Sequence, residues 1–265
     1  FNWPFERNSS GSVRMRLSFG SLITHHSGQR LNHTTDSVAS FRSLYVSNCS
    51  LEPEWTTSDV GSHTHTHLAF NEATREEARS DIEQSVAVAK RFDIDMASFV
   101  YPRNRIAHRD VLSDVGFEVY RGLDSRWYER SQLPTPVRKG ARFAEEVTQW
   151  TPPTVLPRME SGLVEVPGSQ IFRPDHGGWQ YTPKGSQRSR AIAGLNRAAR
   201  TGQIFHIWFH PFNFARDPER LLTALGAVLS HAQSLVQQGR LDVLTMRDVA
   251  ELYRAGRWTG LRADT

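Results

Sequence analysis

The chain of 265 residues has one cysteine and no long apolar run. Cys49 therefore cannot form an internal disulfide, and a lone thiol is not a metal cage, so we expect a small buried residue there. No apolar run approaches the length of a transmembrane helix. The N-terminus shows no basic-then-apolar signal pattern, which favours a cytoplasmic location but leaves the location open.

Charge of one sign is not concentrated anywhere in the sequence. The net charge is +4, but the basic residues are scattered and alternate with acids, as in the segment 75–79. A nucleic-acid partner would need a basic stripe or helix face, so this pattern argues against one. Apolar residues make up 38% of the chain, which indicates a globular protein. Nothing in the sequence indicates an oligomeric state.

Strand and helix patterns alternate from residue 58 onward. The predicted strands are 13–19, 97–101, 117–120, 163–166, 204–209 and 241–245. The first predicted helix begins at Asn71 or Thr74 and ends near Arg91. The other predicted helices span 108–115, 191–200, 218–238 and 246–252. Residues 124–190 are rich in Pro, Gly, Arg and Trp, and are expected to be mostly irregular. This order predicts an α/β fold, a barrel of about seven strands.

Three histidines stand at alternate positions in the segment 61–67. Imidazole is the commonest protein ligand for zinc, and His63 and His67 have the spacing with which a tight turn can hold one ion. His65 would share their face on a strand and point away on a helical turn. The alternative is a polar loop that is histidine-rich by chance. We favour metal binding.

Two further segments place polar residues where predicted strands end, which is where barrel active sites are built. One is Tyr101-Pro102-Arg103-Asn104, in which Arg103 could clamp a carboxylate or stabilise an oxyanion, or form only a rim ion pair. The other is Phe209-His210. A histidine that ends a buried strand is a candidate general acid or base, and the alternative is a hydrogen-bonded core histidine.

Together these segments resemble the polysaccharide deacetylase family, the NodB-homology carbohydrate esterases. The resemblance implies a distorted (β/α)-barrel over residues 56–258, with residues 1–55 as an atypical N-terminal segment of the same domain. It also implies a divalent metal, with zinc as the expected ion, held by His63 and His67, and a Thr64 hydroxyl that steadies the loop. Tyr101, Pro102 and Arg103 would line the groove. His210 would protonate the leaving amine.

The chain departs from the family pattern at its first motif, two adjacent aspartates after an early strand. It contains no Asp-Asp pair, and Ser21 follows Phe19-Gly20 where the pair is expected. The resemblance also implies an aspartate with a nearby tryptophan that lines the pocket and tunes the acid histidine. The best match in the sequence is Asp175 with Trp179.

We therefore expect a metal-dependent hydrolase that removes acetyl groups from an acetylated sugar or polysaccharide. The alternative is a NodB-like protein that binds carbohydrate without deacetylating it, through the faces of its tryptophans. The candidates for this stacking are Trp127, Trp150, Trp179 and Trp208. A metal-storage or metal-sensing protein would explain the histidine cluster but not His210 or the barrel pattern. A carboxylate within reach of His63 and His67 would favour the enzyme.

Overall fold

A computed structural model describes residues 16–17, 59–130 and 133–257. Its strands are β1 (Arg16–Leu17), β2 (Ser98–Val100), β3 (Val119–Gly122), β4 (Arg158–Glu160), β5 (Leu163–Pro167), β6 (Gln170–Ile171) and β7 (His206–Trp208). Its α-helices are α1 (Arg75–Lys90), α2 (Arg109–Val115), α3 (Trp127–Arg130), α4 (Thr135–Val147), α5 (Ser186–Thr201), α6 (Pro218–Gln237) and α7 (Met246–Arg254). The fold is therefore mixed α/β, as the alternating pattern predicted.

The strands form two sheets, in the orders β2-β3-β5-β4 and β1-β7-β6. All pairs are parallel except β4 with β5, which is antiparallel. Ser62 extends the first sheet through a parallel bridge to Phe99. The chain passes from β5 to β6 through Gly168 and Ser169, and Ser169 N–H donates to the His206 carbonyl at 2.9 Å. The short segment between β5 and β6 therefore links the two sheets.

Helix ends follow the capping residues in the sequence. Thr74 and Thr245 form capping boxes with Glu77 and Asp248, and the Asp217 side chain caps α6. Gly116 ends α2 in the left-handed conformation. Apolar faces pack α1 and α2 against β2, α5 and α6 against β7, and α7 against β3 and β5. Polar residues are found at the ends of the strands, between these helices.

The structure corrects several sequence expectations. The region 124–190 is more ordered than expected: besides the predicted strand at 163–166, which is β5, it contains α3, α4, two further strands and the start of α5. The helix α4 was not predicted, because its segment contains Pro134, Pro136 and Gly140. A proline is nevertheless well tolerated in the first turn of a helix. The predicted strand 241–245 is reduced to a single bridged residue, Val243. The described strands form two sheets, and no closed barrel is seen among them.

Most of the expected N-terminal segment, residues 1–55, lies outside the described residues. β1 is the described part of it, and falls inside the predicted strand 13–19. Within the described ranges, no helix combines the length and the apolar character needed to span a bilayer.

Candidate active site

The candidate site begins where the Ser62 bridge ends. Ser62 N–H donates to the Ser98 carbonyl, and Val100 N–H donates to the Ser62 carbonyl, both at 2.9 Å. This close pairing requires Gly61, because a Cβ there would lie 2.7 Å from the Ser98 backbone oxygen. The loop that follows therefore starts from a fixed position at the carboxyl edge of the sheet.

The imidazole of His63 is buried and oriented by a backbone hydrogen bond. Its Nδ1 lies 2.7 Å from the Val100 carbonyl oxygen. A carbonyl can only accept, so Nδ1 carries the proton and Nε2 keeps its lone pair. Burial, together with the charges of His67, Arg121 and His210 and against the opposing hydrogen bond, lowers the pKa of His63 to about 4. His63 is thus a neutral imidazole at pH 7, the form that binds metals.

His67 lies beside His63, with ring centroids 5.0 Å apart in an edge-to-face arrangement. The segment between them is neither strand nor helix but a bend, with His65 exposed. Asp81 of α1 holds the bend: it accepts the N–H of His65 at 2.6 Å and that of Thr66 at 3.0 Å. It also accepts the Thr66 hydroxyl at 2.5 Å. We refer to residues 63–67 as the histidine loop.

The hydroxyl that steadies the histidine loop is therefore that of Thr66 and not the expected Thr64. The Thr64 hydroxyl is buried and has no hydrogen-bond partner among the described residues. Thr64 has a left-handed backbone (φ 66°), in which its N–H reaches the Ser62 hydroxyl at 3.2 Å. This loop geometry, which the spacing of the residues does not encode, explains the difference.

His210 is the second residue after the end of β7 and lies at the same edge of the molecule. Its ring stacks on the ring of Phe212, with centroids 4.7 Å apart. It meets the ring of Trp208 in a T-shaped arrangement, with centroids 5.6 Å apart. Its charge contributes to the lowered pKa of His63, so the two imidazoles lie within electrostatic reach. The structure therefore brings His63, His67 and His210 together.

A second set of polar residues at this edge was missed in the sequence. Arg121 is the penultimate residue of β3, is 7% exposed, and has its guanidinium carbon 3.9 Å from the centroid of the Trp208 ring. Trp208 Nε1 donates to Asp124 at 3.0 Å. Gly168 permits this packing, since a Cβ there would lie 2.1 Å from the Asp124 carboxylate. The signal was the polar segment 121–127 directly after a predicted strand.

Asp124 and Trp208 form a pair of the kind expected of Asp175 and Trp179, an aspartate with a nearby tryptophan, and Trp208 contacts His210. Asp175 instead forms an ion pair with Arg220. Trp179 stacks on Phe143, with ring centroids 6.4 Å apart. These contacts place Asp175 and Trp179 with α6 and α4. A role for them in substrate binding stays a prediction.

The loop after β2 holds the other predicted site residues. Tyr101 is 1% exposed, and its ring packs with Phe70, Phe99 and Tyr120, so it belongs to the core beneath the loop. Burial raises the pKa of its hydroxyl. Pro102 is also buried. Arg103 is exposed and has a left-handed backbone (φ 53°). Only Arg103 therefore offers its side chain to the surface.

Strained backbone marks two neighbouring loops at this edge. Non-glycine residues with positive φ occur in the histidine loop, at Thr64 and His67, and after β2, at Arg103 and Asn104. Such conformations cost about 1–3 kcal/mol each and cluster at functional sites. Four further described non-glycine residues with positive φ lie elsewhere, at Asp93, His108, Gln149 and Ser161, so this backbone conformation does not by itself distinguish the two loops.

The imidazoles fit a metal ion only in part. His63 presents a neutral Nε2 and a hydrogen-bonded Nδ1, the arrangement in which a backbone carbonyl orients a metal-binding histidine. Catalytic zinc sites use three protein ligands. The described part of the chain contains no group of three or more His, Cys, Asp or Glu side chains placed to hold a metal ion. His63 and His67 would therefore be two members of an incomplete set.

Comparisons with known proteins support the fold. No protein-family model and no curated protein matches the chain. A crystal structure from Mycobacterium smegmatis, described as a "putative polysaccharide deacetylase", is similar to it with a TM-score of 0.52 and 15% sequence identity. The similarity covers 78% of this chain and 66% of that one, so the chain spans just under two thirds of that structure's length. The chain therefore has a deacetylase-like fold.

Proposed function

We propose that this chain is a metal-dependent hydrolase that removes acetyl groups from an acetylated sugar or polysaccharide, and that its divalent ion is zinc. The observation that carries the proposal is the pair of imidazoles of His63 and His67, 5.0 Å apart, with His210 within electrostatic reach. The deacetylase-like fold supports it, because carboxyl ends of parallel strands are where such folds build their sites.

The finer fold is part of the same proposal. The Ser62 bridge lies at one end of the first described sheet, and β1 lies at one end of the second. We propose that these two ends belong to one distorted barrel of the NodB type. The parallel pairing of β1 with β7 supports this, since it continues the direction of the neighbouring strands.

Each residue would have a defined role. His63 and His67 would hold the ion. A bound divalent ion polarises a carbonyl and lowers the pKa of the water that it binds. His210 would hold a proton and give it to the leaving amine, while the rings of Trp208 and Phe212 keep its imidazole in place. Phe212 and Trp127, which are 62% and 68% exposed, follow the ends of β7 and β3. Their faces could stack on sugar rings.

A second candidate function is a protein that binds carbohydrate without deacetylating it. The observation that favours it is the incomplete ligand set, since the described residues supply no carboxylate to complete a group with His63 and His67. The exposed aromatic rings would serve binding equally well. The two candidates differ only in whether acetate is released.

The test combines metal analysis with acetate release. The purified chain should contain zinc and release acetate from an acetylated chito-oligosaccharide, and His63→Ala should lose both properties. His210→Ala should keep the metal and lower turnover by about 10²–10⁴-fold. His65→Ala is the matched control, because His65 is exposed in the same loop. Oligosaccharide binding without acetate release would favour the second candidate, and equal metal content in wild type and His63→Ala would contradict the metal site.

A further inference from the structure

Arg121 is a buried cation whose hydrogen-bonding capacity is only partly used. The residue is 7% exposed at the carboxyl end of β3. Its Nη2 donates to the side-chain oxygen of Asn104. Its Nε is buried and has no hydrogen-bond partner among the described residues. Leaving a buried charged donor unsatisfied costs more than leaving a neutral one unsatisfied, so such a group calls for an explanation.

The other buried arginines of the described chain show what is usual. Arg126 forms an ion pair with Glu145, and Arg173 and Arg190 form ion pairs with Glu146. Arg121 has no carboxylate within ion-pair distance among the described residues. Asp124 raises its pKa by charge alone, while burial lowers that pKa to about 10. The usual anionic partner of a buried arginine is therefore lacking at this position.

The surroundings determine from which side an anion could approach. The guanidinium lies 3.9 Å from the ring of Trp208, so one of its faces is covered. A stacked guanidinium keeps its in-plane N–H groups available, and these match the geometry of a carboxylate. The charge of Arg121 acts on His63, and Trp208 contacts His210, so the guanidinium lies at the candidate site.

We propose that Arg121 forms a carboxylate-binding subsite beside His63 and His210. The ligand's carboxylate accepts hydrogen bonds in the guanidinium plane, with Asn104 holding Nη2 and Trp208 supporting the face. The proposal deepens the proposed function and rests on it for its biological meaning. The carboxylate has two sources, the acetate released by deacetylation or an acidic group carried by the sugar itself.

Equilibrium binding by the full chain tests the subsite without requiring turnover. Sodium acetate and sodium glucuronate are titrated calorimetrically at fixed ionic strength, with glucose as the neutral comparison. At least one carboxylate should bind, and Arg121→Gln should weaken its binding by about tenfold or more, the effect expected of a lost charged hydrogen bond. Arg121→Lys should lose part of the affinity, because a lysine keeps the charge but not the planar fork.

Two further variants guard against misfolding and general charge effects. Asn104→Ala removes the acceptor of Nη2 at an exposed position, and should weaken binding several-fold with the fold intact. Arg105→Gln makes the matched change at an exposed arginine of the same turn and should bind as wild type does.

The outcomes separate the two proposals. Binding of acetate, and of glucuronate no more tightly, identifies the product as the ligand, whereas binding of glucuronate alone identifies an acidic sugar. Binding of neither, or equal binding by wild type, Arg121→Gln and Asn104→Ala, would overturn the subsite and leave Arg121 as a packing partner of Trp208. Carboxylate binding by a protein that releases no acetate would keep the subsite and contradict the proposed function.

Discussion

His63 makes the stability of the folded protein depend on pH. Its burial excludes the charged form, while the unfolded chain exposes an ordinary imidazole that protonates near pH 6.5. A group whose pKa is lower in the folded state favours folding fully only above the pKa of the unfolded state. The native state should therefore lose stability as the pH falls below about 6.5, until His63 itself protonates near pH 4.

This prediction concerns the metal-free protein, measured with a chelator present. Between pH 7 and pH 5 the free energy of unfolding should fall by about 2 kcal/mol through His63 alone. His63→Gln should reduce this fall, because glutamine does not titrate. Urea unfolding at both pH values provides the measurement, and His65→Gln is the control in the same loop. An unchanged pH dependence in His63→Gln would contradict the depressed pKa of this histidine.

Asp81 controls the histidine loop without facing the site itself. It accepts hydrogen bonds from two loop N–H groups and one hydroxyl. Asp81→Asn replaces one accepting oxygen with an amide that cannot accept, so the loop should loosen and metal affinity should fall about tenfold. Zinc titration against a competing chelator measures this. Glu83→Gln, a neutralised exposed acid on the same helix, should titrate as wild type does; an equal loss in both variants would point to a charge effect.

At the scale of elements, α5 lies close against the strand segment that leads to β7. A Cβ at Gly194 would lie 2.3 Å from the Phe205 ring, a residue of the buried core. Gly194→Ala should therefore lower the free energy of unfolding by about 1–3 kcal/mol through overpacking. Gly226 lies in α6 with nothing within 4 Å of its would-be Cβ. Gly226→Ala should be neutral or stabilising by up to ~1 kcal/mol, and denaturant unfolding of both variants makes the comparison.

Elements with local signals were predictable. The predicted helices from Thr74 to Arg91 and over 108–115, 218–238 and 246–252 match α1, α2, α6 and α7 to within one or two residues at each end. α4 was hidden because its prolines are helix breakers in most positions but acceptable in a first turn. The strand expected at 241–245 failed because a short apolar run gains strand structure only from neighbours in a sheet, which the sequence does not show.

The site was predictable as residue types but not as an arrangement. The histidine spacing indicated His63 and His67, and the strand-end position indicated His210. Arg121 and Asp124 could not be assigned because their meaning depends on Trp208, more than 80 residues further along the chain. The support from Asp81 is likewise a tertiary contact between the loop and α1.

At the scale of the whole molecule, function depends on how β1 is placed. β1 is the parallel neighbour of β7, with Leu17 opposite Ile207. Parallel neighbours run toward the same edge of a sheet, and that edge carries His210. Gly20 and Ser21, where the family resemblance expects an aspartate pair, follow Leu17 by three and four residues in the sequence and lie outside the described residues. On the family resemblance, an aspartate pair at these two positions would supply a third metal ligand and a general base.

Introducing that pair tests the whole arrangement. The double variant Gly20→Asp with Ser21→Asp should bind zinc more tightly, because three protein ligands hold the ion better than two. It should also release acetate from acetylated chito-oligosaccharides faster, because a carboxylate would position and deprotonate water. The double variant Gly20→Asn with Ser21→Asn is the control, since asparagine is similar in size to aspartate but its amide does not act as a base. If the aspartates change neither zinc affinity nor acetate release, and wild type binds the oligosaccharide without hydrolysing it, the chain is a carbohydrate-binding protein built on a deacetylase-like fold.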